Sequence, residues 1–218
     1  MPGYRLPGPL CGTSSETIDA GTLCQNRSPL PGPIGIHTNS ARLGSQGDPK
    51  KSAGQFLISN NGIALLKQIE HLYLTPYDDQ TGKEIKAWTT GATIGYGHLI
   101  KAGEWATYKN GISASGAGIL FERDLAPFAA SVCAVITEKL RQNEFDALVI
   151  FAFNIGVTGF SGSSVVRLVN DPSAASGYPN LEAAWKAWNK SQGNIMKGLE
   201  NRRDCEWKIY SRGIYEGW

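Results

Sequence analysis

The sequence lacks most features of metal-binding, nucleic-acid-binding and membrane-spanning proteins. Its four cysteines, Cys11, Cys24, Cys133 and Cys205, show no C-x-x-C spacing, so we expect neither a zinc ribbon nor a thioredoxin-type site. The formal net charge is only +2 and no block of Lys and Arg occurs, which argues against nucleic-acid binding. No apolar run reaches the roughly 18 residues of a transmembrane helix. We therefore expect no nucleic-acid partner and no membrane span.

Several enzyme signatures are missing as well. The chain contains no G-x-S-x-G elbow and no Walker A loop, and GYGHLI departs from G-x-G-x-x-G because Ile100 replaces the third glycine. The three histidines, His37, His71 and His98, lack the spacing of a metal site. The opening MPGYRLPGPLCG has no charged start followed by an apolar stretch, so we expect no signal peptide. Carboxylates and hydroxyls remain as the candidate chemical groups.

Residues 1–58 differ in composition from the rest of the chain. They contain seven of the eleven prolines and no hydrophobic periodicity, which predicts a Pro/Gly-rich, loop-like extension. Cys11 and Cys24 close a short loop there and are candidates for a disulfide. We interpret the extension as a linker or docking tail, with a small recognition or delivery element as the alternative. Residues 59–218 form the expected folded domain.

The pattern from residue 59 onward predicts an α+β fold that is mostly helical. Ser59, Asn60 or Asn61 is a candidate cap for a first helix that ends at Glu70. Turn signals separate short β-prone pieces in YLTPYDDQTGKEIKAWTTGATIGYGHLI, which predicts a small antiparallel hairpin or three-stranded sheet. The later segments are helical. A bilobed molecule of this kind leaves a cleft between its lobes, where ligands commonly bind.

The later segments carry apolar residues at helical spacing. LFERDLAPFAASVCAVI predicts a helix with Pro127 as a kink or a boundary. NEFDALVIFAFNIG is apolar nearly all round, which predicts a central buried helix with Asn143 as its cap and Gly156 as its stop. Asn180 is the expected cap of LEAAWKAWNKS, and LENRRDCEWKIYSR predicts the final helix.

Glu70 and Asp79 are the candidate catalytic groups. Glu70 follows the apolar Ile69, and partly apolar surroundings favour the protonated form of a carboxyl, which suits a general acid. Asp79, nine positions later in a polar turn, is expected to stay ionised and to orient a water molecule. Two such carboxylates facing one cleft are the minimum apparatus for cleaving a glycosidic bond. On spacing alone, solvated surface residues are the commoner explanation.

The stretches IEHLYLTPYDDQTGK and TIGYGHL resemble the catalytic region of the phage-type lysozymes, glycoside hydrolase family 24. LFERDLAPF, NEFDALVIFAFNIGVTGFSGSSVVRLVN and GLENRRDCEWKIY resemble further segments of this family in the expected order. The resemblance covers roughly residues 60–215. It implies a bilobed, lysozyme-like fold and an enzyme that needs no cofactor and no metal.

The resemblance also implies roles for individual residues. Glu70 would protonate the leaving glycosidic oxygen, while Asp79 and Thr93 would position the attacking water on the other face of the sugar. This inverting arrangement needs about 6.5–9.5 Å between the two carboxyls. Asn154 would contact sugar or peptide in the cleft, and Arg202 would approach Glu70 and hold its carboxyl in place.

The TIGYGH stretch combines strand formers with glycines. Gly95 and Gly97 are expected to let the backbone pass close to the sugar and to accept a sharp bend. Ile94 and Tyr96 should then point away from the cleft into the core of the small lobe. For His98 we expect a structural role, with its ring bonded to a nearby acid or backbone group.

The chain departs from the family pattern in its hairpin and in its charge. KEIKAWTTGA lengthens the connection, so that Asp79 and Thr93 lie fourteen positions apart, and Asp78 competes with Asp79 for the catalytic role. Asp79 is chosen on its spacing from Glu70. Trp88, within the added loop, would either stack on sugar or join a small apolar cluster. From residue 59 onward acidic and basic residues balance, so electrostatic steering to the cell wall should be weak.

These expectations combine into a muramidase that cuts the β-1,4 bond between N-acetylmuramic acid and N-acetylglucosamine in bacterial peptidoglycan. The alternatives are a non-catalytic wall-binding or structural module and a lytic transglycosylase. We expect a monomer, made in the cytoplasm, that reaches the periplasm or cell wall through a holin lesion or a secretion machine. It would act as a phage endolysin or as a secreted antibacterial effector, whose extension docks a secretion carrier or an immunity protein.

Overall fold

The computed structural model describes residues 49–217, which form a small sheet followed by a set of helices. The helices are α1 (Asn60–Glu70), α2 (Trp105–Tyr108), α3 (Ala114–Val135), α4 (Gln142–Ile155), α5 (Val157–Ser161), α6 (Ser164–Asn170), α7 (Leu181–Lys186) and α8 (Lys197–Arg212). The strands are β1 (Tyr73–Asp78), β2 (Ala92–Gly95), β3 (His98–Leu99), β4 (Lys190–Ser191) and β5 (Asn194–Ile195). Two short 3-10 helices cover Ala53–Gln55 and Ala102–Glu104. Within these residues, no helix has the length and hydrophobicity needed to cross a membrane.

Strands β1, β2 and β3 form the small antiparallel sheet that the turn signals predicted. Tyr77 pairs with Thr93 in the β1–β2 register, and Thr93 pairs with Leu99 in the β2–β3 register. The small lobe has its own buried apolar cluster, made of Ala92, Ile94, Ile100 and Leu120. Because Leu120 belongs to α3, this long helix joins the sheet to the helical lobe.

Helix α1 begins and ends where the sequence predicted. The Ser59 side chain accepts a hydrogen bond from the Gly62 amide, which makes Ser59 the N-cap. The helix ends at Glu70, and His71 then takes a positive φ of 50°, which turns the chain toward β1. The carboxyl of Glu70 therefore lies where the helix gives way to the sheet.

Helix α4 is the buried centre of the helical lobe, as its apolar pattern predicted, and it ends at Gly156 with a φ of 82°. Its predicted cap was wrong, because Arg141 occupies the N-cap position. The Glu144 carboxylate accepts the Arg141 backbone N–H at 2.6 Å. Asn143 instead donates its side-chain amide to the carbonyls of Ile209 and Tyr210, so it caps the end of α8. Sequence spacing within α4 could not reveal a contact with a helix so far along the chain.

Pro127 lies inside α3 and does not end the helix, which excludes the boundary and leaves the kink of the two alternatives. A proline in a helix interior removes one backbone hydrogen bond. Leu125 and Val132 are buried on either side of it, within the core cluster that also includes α4. The packing of α3 against the central helix therefore outweighs the lost hydrogen bond.

Residues 50–58 pack against the helical lobe as a segment that we call the N-terminal strap. Backbone hydrogen bonds of 2.8 Å run in both directions between Lys51 and Leu140. The Phe56 ring is buried and stacks on Phe145 with 5.3 Å between the ring centroids. The packed chain thus begins before residue 59, the predicted domain boundary. The rest of the extension, with the candidate disulfide cysteines, lies outside the described residues.

Candidate active site

Glu70 lies beside an arginine from the last helix. Its carboxylate oxygen Oε1 is 3.5 Å from Nη1 of Arg202 in α8, which is the approach that the family resemblance implied. Both side chains are mostly shielded from solvent, since 21% of the Glu70 side chain and 9% of the Arg202 side chain are exposed. Partial burial strengthens this ion pair relative to one in open water.

A second carboxylate, that of Glu206, also forms an ion pair with Arg202. Its oxygen Oε1 accepts the Nε–H of Arg202 at 3.2 Å and lies 3.1 Å from Nη2 of Arg203. Its oxygen Oε2 accepts the indole N–H of Trp185 at 2.9 Å. Glu206 and Arg203 are both fully buried. The sequence reasoning missed both residues, although helical spacing of three and four places Glu206 on the same face as the two arginines.

Asn154 is connected to the same network. Its Oδ1 accepts a hydrogen bond from Nη2 of Arg203, near the end of α4. The Arg203 guanidinium also lies over the Phe151 ring, 5.0 Å from its centroid. Burial lowers the pKa of Arg203 to about 10, and Glu206 opposes this effect. The structure therefore links Asn154 to Glu70 through two arginines and one carboxylate.

Asp79 and Thr93 meet at the carbonyl of Gly91. The backbone N–H of Asp79 and the hydroxyl of Thr93 both donate to this oxygen, each at 3.0 Å. Thr93 lies in β2 and is only 4% exposed. The lengthened hairpin therefore leaves the two residues as neighbours, because β1 and β2 pair in register just before and after the added loop.

Gly91 also makes room for the Asp79 carboxylate. Its φ is 91°, a conformation that side chains other than glycine rarely adopt. A β-carbon at this position would lie 2.4 Å from Asp79 Oδ1, far inside van der Waals contact. The same Oδ1 accepts the Gln80 side-chain amide at 3.2 Å. Gly91 was not among the predicted site residues, and only the turn signals between the β-prone pieces pointed to it.

Asp78 and Asp79 have different surroundings. Asp78 Oδ1 accepts the backbone amides of Gln80 and Thr81 at 2.8 and 3.0 Å, so its carboxylate closes the turn of the hairpin. Asp79 receives one side-chain amide and lies against Gly91. This difference favours Asp79 as the residue that binds water.

The turn after β2 brings the glycines of TIGYGH next to Glu70. Gly97 has a φ of 97°, and a β-carbon there would lie 3.9 Å from Glu70 Oε2. Gly95 has a φ of 67°, and its β-carbon would contact Ala117 of α3. The expectation for Tyr96 was wrong: its ring packs on Phe121 of the helical lobe, 5.2 Å between centroids. The bend at Gly95 ends the strand alternation that would have placed Tyr96 beside Ile94.

His98 and Trp88 have structural contacts. His98 Nδ1 lies 2.8 Å from an Asp124 carboxylate oxygen, and its Nε2 lies 3.7 Å from Glu104, which confirms the expected pairing with an acid. Trp88 is 42% exposed, and its indole N–H donates to the Ile100 carbonyl at 2.9 Å. The indole is thus tied to the small lobe, with part of its ring surface open to solvent.

The arrangement suits acid–base chemistry on a polar substrate. One carboxyl is paired with an arginine at the end of α1, and a second carboxylate lies beside a hydroxyl on the hairpin. Such a set can protonate a leaving oxygen and position a water molecule. Within residues 49–217, no three His, Cys, Asp or Glu side chains are grouped closely enough to hold a metal ion.

Sequence comparison identifies relatives over most of the described chain. Residues 67–206 match the family described as phage lysozyme. The endolysin of Bacillus phage PZA is 35% identical over 158 residues, which make up 72% of this chain and 55% of that protein. The chain therefore spans about half the length of this relative.

Solved structures share the fold. The endolysin from Escherichia coli O157:H7 phage FAHEc1 superimposes with a TM-score of 0.58 at 30% identity, covering 74% of this chain and 98% of that one. The muramidase domain of SpmX from Asticaccaulis excentricus gives a TM-score of 0.56 at 29% identity, covering 72% and 99%. These likenesses confirm the predicted lysozyme-like α+β fold.

Proposed function

Since this chain belongs to the phage lysozyme family, we propose that it is a muramidase that hydrolyses bacterial peptidoglycan. The bond that it cleaves would be the β-1,4 linkage between N-acetylmuramic acid and N-acetylglucosamine. The proposal is supported by relatives named endolysin and by a structural neighbour named a muramidase domain. It requires no cofactor, because two carboxyls and a water molecule suffice for glycoside hydrolysis.

The observation that carries the proposal is the meeting of Asp79 and Thr93 at one carbonyl. A hydroxyl that donates to Gly91 keeps its lone pairs for a water molecule, and the Asp79 carboxylate beside it can accept a proton from that water. Glu70 then serves as the general acid for the leaving oxygen, with Arg202 fixing its orientation. An attack from the face opposite the acid inverts the anomeric configuration.

Three further residues are proposed as substrate contacts. Asn154 would donate its side-chain amide to sugar or peptide, since its oxygen is already bonded to Arg203. Gly95 and Gly97 would let the sugar approach the backbone at the turn after β2. Gly97 lies against Glu70, which places this turn at the acid.

The proposed site of action is the periplasm or cell wall. The protein would be made in the cytoplasm and reach its substrate through a holin lesion, as an endolysin, or through a secretion machine, as an antibacterial effector. In the second case residues 1–58 would dock a secretion carrier or an immunity protein.

The test is a digestion of purified peptidoglycan, with products separated and their ends identified by mass spectrometry. We expect new N-acetylmuramic acid reducing ends from the wild type, and a loss of about 10²–10⁴-fold in Glu70→Gln, because an isosteric amide cannot donate the proton. Asp79→Asn should lose activity in the same assay. Asp78→Asn is its matched control and should stay active, since that carboxylate closes the turn.

Other products would contradict the proposal in different ways. A 1,6-anhydro end would identify a lytic transglycosylase, which needs no positioned water. Binding to peptidoglycan without any soluble product would identify a wall-binding module. Full activity in Glu70→Gln would remove Glu70 from the mechanism.

A further inference from the structure

Glu206 connects Glu70 with Asn154 through two arginines, in a network of mostly buried charged groups. One oxygen, Oε1, contacts both Arg202 and Arg203, at 3.2 and 3.1 Å. Arg202 also forms an ion pair with the Glu70 carboxylate, and Arg203 donates a hydrogen bond to the Asn154 amide oxygen. A displacement of this one oxygen would therefore move the partners of both Glu70 and Asn154.

Stability alone does not explain such a group. Taking charged side chains out of water costs several kcal/mol per ion, and a buried ion pair is often no more stable than apolar residues of equal volume. Here the cost falls on a fully buried glutamate and a fully buried arginine. Within the described chain, Nε and Nη1 of Arg203 are buried and have no hydrogen-bond partner. The position of Arg203 therefore does not maximise its own hydrogen bonds.

What the network does provide is fixed geometry. The Glu206 carboxylate is itself held by the indole N–H of Trp185, and Trp185 is fully buried among Phe151, Trp207 and Tyr210. Helix α8 supplies the arginines and the glutamate, while α1 and α4 supply Glu70 and Asn154. The junction thus joins three helices at one oxygen.

We propose that Glu206 is a positioning residue that sets the orientation of Glu70 through Arg202 and the orientation of Asn154 through Arg203. The Glu70 carboxyl and the Asn154 amide would then keep a fixed position relative to each other and could contact the same sugar chain. This inference rests on the proposed function, because it takes Glu70 as the general acid and Asn154 as a substrate contact. Glu206 itself touches neither substrate nor reacting atoms.

The variant that tests the proposal is Glu206→Gln. An amide keeps the volume but removes the charge, and it cannot accept from both arginines and from Trp185 at once. We expect a loss of about 10–100-fold, mainly in kcat, because misplacement of a catalytic group by about 1 Å is enough for such an effect. In an Arg202→Met background, the same change should cause a smaller further loss than in the wild type, since the route to Glu70 is already broken and only the route to Asn154 through Arg203 remains.

The matched control is Asp146→Asn. Asp146 is an equally buried carboxylate in α4 that accepts from Ser59, Gln142 and Tyr215, away from this network. Both variants remove one buried charge, so both should lower the melting temperature. Activity is compared at a temperature at which circular dichroism shows both to be folded. Equal activity losses in the two variants, or independent losses for Glu206→Gln and Arg202→Met, would overturn the proposal.

A second readout does not depend on activity. In ¹H–¹⁵N NMR spectra, the Arg202 Nε–H and the Asn154 side-chain amide should both shift in Glu206→Gln, and neither should shift in Asp146→Asn. If these shifts occur in a chain whose wild type releases no products, the positional coupling stands and the proposed hydrolysis fails. If the wild type hydrolyses peptidoglycan and the two signals do not respond, Glu206 has no positioning role.

Discussion

At the scale of single residues, the absence of a side chain at Gly91 leaves the space that the Asp79 carboxylate occupies. Gly91 has a positive φ, and its carbonyl receives both the Asp79 amide and the Thr93 hydroxyl. A side chain at this position would meet the Asp79 carboxylate oxygen at 2.4 Å. The proposed catalytic pair of Asp79 and Thr93 therefore depends on a residue that has no side chain.

Gly91→Ala should lower peptidoglycan hydrolysis by about 10²-fold, because the methyl group must displace the Asp79 carboxylate. Gly82→Ala is a matched control in the same hairpin. Gly82 also has a positive φ, of 68°, but a β-carbon there meets nothing within 4 Å. Both changes should cost about 1 kcal/mol of stability through backbone strain. Equal activity in the two variants would show that Gly91 does not act through Asp79.

At the scale of elements, caps and stops were predictable where they depend on neighbours in the sequence. Ser59 and Asn180 cap the helices that follow them, and Gly156 ends α4, as predicted. Asn143 was mispredicted, and the choice between a kink and a boundary at Pro127 stayed open, because their environments come from other helices. Asn143 bonds to the end of α8, and Pro127 is retained in α3 by packing against α4.

The burial of the N-terminal strap was also not predictable from neighbouring residues in the sequence. Composition grouped residues 50–58 with the proline-rich extension, yet Ala53 and Phe56 are buried in the helical core. The sequence pattern of the strap is too short for a periodicity to appear. Its contribution comes from contacts with α4 and with the segment before it.

Phe56→Ala should destabilise the domain by about 3–5 kcal/mol, because it empties a buried site that is stacked on Phe145. The adjacent Leu57→Ala is the control. Leu57 is 75% exposed, so its loss should change stability by no more than about 0.5 kcal/mol. Urea unfolding followed by tryptophan fluorescence measures both. A similar, small effect in the two variants would mean that the strap does not belong to the folded unit.

At the scale of the whole molecule, the segment after α8 returns to the start of the domain. The Tyr215 hydroxyl donates to Asp146 at 2.6 Å, and the same carboxylate accepts the Ser59 backbone amide at 2.9 Å. The far end of the described chain is thereby joined to the N-cap of the helix that carries Glu70. Burial, then the charge of Asp146 and the hydrogen bond to it, raise the pKa of Tyr215 well above its usual range.

Stability should consequently fall at high pH. A group whose pKa is raised in the folded state contributes fully below its unfolded pKa, about 10 for tyrosine, and this contribution is lost as the pH rises further. Tyr215→Phe should cost about 1.5–3 kcal/mol at pH 8, where the bond to a charged acceptor is lost, but it should show a smaller decline between pH 10 and 11. Urea unfolding at these pH values measures both effects.

The control for this change is Tyr178→Phe, because Tyr178 is 42% exposed and lies outside the contact with Asp146. It should leave both the stability at pH 8 and the alkaline decline as they are in the wild type. A Tyr215→Phe variant with an unchanged alkaline decline would contradict the assignment to Tyr215.

The sequence by itself determined the kinds of elements, most of their ends and the family. These depend on hydrogen bonds and periodicities within a turn or two of chain, and on motifs such as TIGYGH that remain contiguous. Glu70, Asp79 and Thr93 could be chosen because each lies inside such a motif.

Only the tertiary structure decided which distant groups meet. It placed Gly91 between Asp79 and Thr93, and it showed that Glu206 joins Arg202 to Arg203 and hence Glu70 to Asn154. These contacts arise from strand register and from the packing of three helices. Many different pairings would satisfy the same local pattern, and the burial of the whole core selects one of them.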